Sequence, residues 1–257
     1  MFGQITPVVK NLLILNILLF VVKLVAETKG IDLDSMLGLH SFGTPLFEPY
    51  QLITHFFMHG NFFHILFNMF VLMSFGPILE KIWGAKRFAI MYIVSAFGAV
   101  LLYNGIAYFQ IVELKQAIGS SDVLANLDAI IRENPIGPAA QDKANAYLQT
   151  AVKTQNAYDN SIAYMIRSYI PMLGASGAIM GLMASFAILF PNTQLQLLFP
   201  PIPVKAKYLI GGYFLLDLYL SIFQQSGDNV AHLAHVGGAV AGGILVLIWR
   251  KRSNHFY

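Results

Sequence analysis

The chain contains no cysteine, so neither a disulfide nor a thiolate zinc site is open to it, and redox compartment cannot be read from it. Charge is scarce: 11% of the 257 residues are Asp, Glu, Lys or Arg, against about 25% in a soluble globular domain. The formal net charge of +3 is small and no basic stripe tracks a phosphate backbone, which excludes a nucleic-acid partner. No H-E-x-x-H is present either, and no carboxylate other than Asp228 is expected near His59, His64, His232 or His235 at their depth, so no metal and no cofactor is expected. What the chain has in excess is apolar side chains, 56% of the total, with mean hydropathy +0.61. That composition belongs to a membrane protein.

A helix needs about 20 predominantly apolar residues to cross a bilayer. Six segments qualify, at about 8–25, 62–79, 88–108, 174–190, 208–224 and 231–249, which predicts one all-α, multi-pass membrane domain filling residues 1–257. The first run lacks a small-residue cleavage site and five more follow, so it reads as a span and not as a signal peptide. Between spans three and four, about 110–167, lies a polar stretch carrying Glu113, Asp122, Asp128, Glu133, Asp142 and Asp159. It is expected to be an extramembrane, partly helical insertion, with a helix over about 140–158 and a break before it at Asn134-Pro135 and Gly137-Pro138.

Lys and Arg collect on one side of this topology: Lys10, then Lys81, Lys86 and Arg87, then Lys205 and Lys207, then Arg250, Lys251 and Arg252. The opposite short loops hold Glu27, Asp32, Asp34, Glu48 and Asp228. The positive-inside rule therefore places both termini in the cytoplasm and the insertion on the other side.

Polar groups inside spans are costly and so mark function. They cluster here. His59, His64 and Asn68 enter span two, Ser176 opens span four, and His232 and His235 open span six, all at the outer ends of inward-running helices. Ser176 lies in Gly174-Ala-Ser176-Gly177, about seven residues into an apolar stretch, so its hydroxyl is recessed by about 10 Å. Taken alone this tetrapeptide reads first as a small-residue packing site. With a base nearby, the free N–H groups of a helix start would suit a developing oxyanion. His235 is the preferred base, because Gly238 and Gly242 share one helix face and allow close approach to the face of Gly181; His232 is the runner-up. His64 and Asn68, four apart on one face, can both donate to an oxygen. Asp217, within span five, is expected to make a buried hydrogen bond to a neighbouring helix.

These residues resemble the rhomboid family of intramembrane serine proteases, in its bacterial form. The matching pieces, in family order, are His59-Gly-Asn-Phe-Phe-His64-Ile-Leu-Phe-Asn68, Gly76 with Glu80-Lys81-Ile-Trp-Gly84-Ala-Lys-Arg87, Gly174-Ala-Ser176-Gly177, and Ala234-His235-Val-Gly-Gly238. The resemblance implies a six-helix bundle in a bacterial inner membrane and a Ser176–His235 dyad with no third acid. It also implies an oxyanion hole lined by His64 and Asn68, with His59 beside it, and transmembrane protein substrates cut near the outer leaflet through an acyl-enzyme. Two departures stand out: Tyr50-Gln51 where the family has Trp-Arg, and Met180 where it has an aromatic against the catalytic histidine, so a looser His235 is expected. An inactive, client-binding rhomboid-like protein would lack Ser176 or His235; a transporter would carry polar groups along both leaflets.

Overall fold

Apolar helices with few breakers dominate the structure, a computed structural model describing residues 4–133, 138–196, 202–223 and 231–252. Each of the six apolar segments is mostly helical among the described residues. They correspond to α1 (Pro7–Glu27), the two arms of α4 (Phe62–Ile118), α8 (Ser176–Leu189), α9 (Ala206–Ile222) and α10 (His232–Arg252). Gln224, at the predicted end of span five, and Asp228 lie outside the described residues. α1, α4 and α10 are long and apolar enough to cross a membrane. Ile14, Leu18, Phe63, Leu101, Leu215 and Ile244 are exposed, an outward apolar surface that suits lipid.

Between spans two and three the sequence suggests a loop over 80–87, but the helix is interrupted only at Gly84, whose φ of 75° makes the turn. The third span also runs past its predicted end, since nothing in residues 109–118 breaks a helix; Gly119, at φ 69°, ends it. The chain divides into two compact units. One comprises Met1–Phe20, His59–Tyr103 and Gly174–Tyr257; the other comprises Val21–Met58 and Asn104–Leu173.

In the first unit, the start of α1 is held by a carboxylate from α4. Glu80, 4% exposed, accepts from the backbone N–H groups of Val8 and Val9, each at 3.0 Å, and from the Thr6 hydroxyl. It thereby satisfies donors that no helical carbonyl reaches and meets the positive end of the helix dipole. Trp83 and Trp249 pack edge to face at 5.5 Å, tying α4 to α10. Small residues let the second arm of α4, α8 and α10 touch backbone to backbone. A Cβ on Gly242 would lie 2.6 Å from the Cα of Gly181, and one on Gly237 would lie 3.1 Å from the Cα of Ala99. In the chain between α8 and α9, β1 (Gln194–Gln196) pairs antiparallel with β2 (Pro203–Lys205).

The second unit holds the insertion, which has a core of its own. α5 (Ser121–Glu133), α6 (Pro138–Ala151) and α7 (Gln155–Tyr169) bury Val123, Leu127, Ile131, Leu148, Tyr164 and Met165 with Ile111 and Ile118 of α4. The single helix expected over 140–158 is in fact two, because Thr154 takes an extended conformation and caps α7 by accepting from the Ala157 N–H. α5 went unpredicted, and Asn134, Pro135 and Gly137 lie outside the described residues. In the same unit are α2 (Leu33–Leu37), α3 (Gln51–Thr54) and a 3-10 turn at His55–Phe57. Gln51 is buried and organises this region: its Oε1 accepts from the N–H of Glu48 at 3.1 Å and its Nε2 donates to the Leu46 carbonyl at 3.0 Å. The position at which the family pattern has arginine is thus filled by an amide that bonds its own loop. Lys23, 3% exposed though inside a predicted span, forms an ion pair with Asp34 at 2.5 Å and lies 3.5 Å from Glu27.

Candidate active site

Ser176 is the first residue of α8 and is half-buried. Two features of the preceding residues place it there. Gly174 has φ 105°, a conformation that side chains disfavour, and Ala175 then turns the chain into the helix. The first recorded helical bond of α8 runs from Ile179 N–H to Ala175 C=O, so the N–H groups of residues 176–178 point out of the helix start with no intrahelical acceptor. This is the arrangement an anionic oxygen would use.

His64 and Asn68 converge on the same backbone. A Cβ on Gly174 would stand 2.7 Å from His64 Nε2 and 3.6 Å from Asn68 Nδ2. Asn68 is 7% exposed and its Nδ2 has no hydrogen-bond partner among the described residues. Buried amide donors are normally satisfied, and this one stands unused beside Gly174. The backbone N–H of His64 donates to Asn61 Oδ1 at 2.9 Å, which fixes the start of α4 and hence the height of both side chains. His59 is fully buried, its ring edge-on to His64 at 5.0 Å.

α10 meets α8 through the glycines that the sequence singled out. A Cβ on Gly238 would run into the carbonyl of Gly177, and a Cβ on Gly177 would lie 3.6 Å from the carbonyl of Ala234. His235 is one turn before Gly238 and 8% exposed. Its Nδ1 is 3.1 Å from Asp217 Oδ2, while His232 Nδ1 is 2.6 Å from Asp217 Oδ1. An ionised carboxylate only accepts, so each ring donates from Nδ1 and keeps Nε2 as an acceptor.

The carboxylate is a correction to the sequence reading, which placed none but Asp228 near these histidines. Asp217 lies a turn and a half before the end of α9 and His232 opens α10, so these two helix ends meet. The buried hydrogen bond expected of Asp217 is there. The missed signal was the pairing of an ionisable residue inside one span with two histidines, three apart and on one face, at the start of the next. Nor is His235 left loose by Met180, since α9 supplies both Asp217 and the ring of Tyr213, 6.5 Å away.

Asp217, His232 and His235 offer one ligand atom each within 4.8 Å. The 2.6 Å Asp217–His232 separation is that of a hydrogen bond; two ligands of one tetrahedral zinc, each about 2.0–2.1 Å from the ion, stand about 3.3 Å apart. The hydrogen bonds account for the grouping as it stands.

The Rhomboid domain family matches residues 46–130 and 145–252. An uncharacterised mitochondrial rhomboid protein of Schizosaccharomyces pombe is 26% identical over 81% of this chain and 55% of its own length. RHOMBOID-like protein 12, mitochondrial, of Arabidopsis thaliana is 27% identical over 97% of this chain and 60% of its own. Rhomboid protease AarA of Providencia stuartii is 25% identical over 75% of this chain and 53% of its own. The chain thus spans between half and two-thirds of the length of these relatives. With an all-α bundle of apolar helices and a family match over most of its residues, the chain belongs to the rhomboid family of multi-pass membrane proteins.

Proposed function

We propose that this protein is an intramembrane serine endopeptidase in which Ser176 is the nucleophile and His235 the base. The observation that carries the reading is the contact of α8 and α10 at Gly177 and Gly238, which brings the turn bearing His235 to the turn bearing Ser176. The idle Nδ2 of Asn68 adds support, as does the name protease given to the Providencia relative.

In the proposed reaction His235 Nε2 takes the Ser176 hydroxyl proton as Oγ attacks the scissile carbonyl carbon. The carbonyl electron pair moves onto oxygen, which is held by Asn68, His64 and the N–H groups at the start of α8. Collapse of this intermediate breaks the C–N bond, and the leaving amine takes the proton from Nε2. Water then repeats the sequence on the acyl-enzyme, giving its proton to Nε2, and Nε2 returns a proton to Ser176 Oγ as the ester breaks. Gly174 and Gly177 leave room for the substrate backbone, and Gly181 and Gly242 hold the helices close. The substrates in this reading are transmembrane proteins cut near the outer leaflet. The membrane in this reading is a bacterial inner membrane, as for the Providencia relative, and the Lys and Arg distribution orients the chain with both termini cytoplasmic.

Labelling of the purified protein with a fluorophosphonate tests the assignment. Wild type should label, and Ser176→Ala and His235→Ala should not. Equal labelling of wild type and Ser176→Ala removes the nucleophile, and loss in His232→Ala with retention in His235→Ala transfers the role of base to His232.

A further inference from the structure

We infer that Asp217 is a positioning residue for His235, so that the catalytic group is a serine, a histidine and an acid rather than a dyad; this rests on the protease reading above. Asp217 is 1% exposed, in a helix predicted to span the membrane, where an unpaired carboxylate would be costly. It is paired on both oxygens: Oδ2 with His235 Nδ1 at 3.1 Å, and Oδ1 with His232 Nδ1 at 2.6 Å. Neither oxygen is spent on packing α9 against its other neighbours; both are directed at the start of α10.

The consequence for chemistry follows from the imidazole's two nitrogens. A neutral ring carries one proton, and only the nitrogen without it can accept another. With Nδ1–H committed to Asp217, the acceptor is Nε2, the nitrogen that a base for Ser176 must offer. When Nε2 takes the serine proton, the ring becomes a cation 3.1 Å from a carboxylate, which stabilises that charge without itself taking a proton. His232 has a separate task. Its shorter bond to Oδ1 anchors the carboxylate, so that Oδ2 stays aimed at His235. Among the described residues, the titratable groups recorded against His235 are Asp217, His232 and Tyr213.

The test is the rate of fluorophosphonate labelling of Ser176 between pH 5 and 9, in wild type and in Asp217→Asn. The variant is isosteric, but its amide brings a donor to a cluster that offers only donors. The expected result is a plateau rate at least tenfold lower, with the rising limb displaced to lower pH because the negative charge beside the imidazolium is gone. A structural role alone would reduce the amount of protein that labels and leave the shape of the profile unchanged. That result, or a profile matching wild type, overturns the inference. Should Asp217→Asn fail to fold, the histidine nitrogen-15 spectrum of wild type decides. With His235 assigned by comparison with His235→Ala, a proton on Nδ1 supports the inference and a proton on Nε2 overturns it. Absence of Ser176-dependent labelling in wild type would end the protease reading, and the inference with it. Normal wild-type labelling with an unmoved Asp217→Asn profile ends the inference alone.

Discussion

The carbonyl of Gly177 fills the space in which a Cβ on Gly238 would stand, so α8 and α10 approach to a distance that only glycine permits. Gly238→Ala therefore has to push the helices apart. Overpacking of this kind costs about 1–3 kcal/mol, and here it also separates the two turns that bear Ser176 and His235. Gly238→Ala is expected to lower the melting temperature in detergent and to abolish fluorophosphonate labelling. Gly243→Ala, whose Cβ would make ordinary contact with Ile188 at 3.6 Å, should leave both unchanged.

The oxyanion assignment predicts a different pattern. Asn68→Ala removes a donor that the resting protein does not use, so stability should hold or rise slightly while turnover of a transmembrane substrate falls. Removal of one oxyanion donor in a serine protease typically costs 10²–10³-fold in kcat. Gly174→Ala should damage both properties, because its Cβ would stand 2.7 Å from His64 Nε2 at a φ of 105°. Equal loss of stability and activity in Asn68→Ala would show that the amide serves packing instead.

His40 is buried with both ring nitrogens against backbone carbonyls: Nδ1 is 2.8 Å from Ser168 O and Nε2 is 2.8 Å from Ser35 O. It joins α2 to the end of α7 within the second unit. A neutral ring donates from one nitrogen only, so replacing it with leucine takes the donor from one of these carbonyls, at about 1–3 kcal/mol. Hydrogen exchange should quicken in α2 and at the end of α7 in His40→Leu, and stay slow in the glycine-packed helices of the first unit.

The sequence was most legible where one physical requirement dominates. Apolar length alone located the six helices, and the intramembrane polar residues, few because each is costly, marked the candidate site. Glycines four apart on α10 foretold its contact with α8, since Gly238 and Gly242 have no other use on that face. What escaped depends on partners distant in sequence. Asp217 needed the knowledge that the end of α9 meets the start of α10, and Glu80 lies 72 residues from the Val8 N–H it caps. The boundary between α6 and α7 hinged on the conformation of one threonine, which composition does not reveal.

His55 gives the fold a dependence on pH outside the spans. It is 1% exposed, with Nδ1–H donating to the Gln51 carbonyl at 2.6 Å. Burial pushes its pKa down to about 4, the bond to Gln51 opposing the shift only in part. The unfolded chain, with its histidine near the ordinary value of about 6.5, then binds more protons than the folded one between pH 6.5 and 4. Stability from this group is accordingly intact above pH 6.5, declines as pH falls through that window, and is lost by about 3 kcal/mol below pH 4. Melting temperatures in detergent from pH 7.5 to 4 should fall steeply for wild type and less for His55→Gln, whose amide can keep the bond to Gln51 without titrating. Parallel curves for the two proteins would assign the acid sensitivity to other groups.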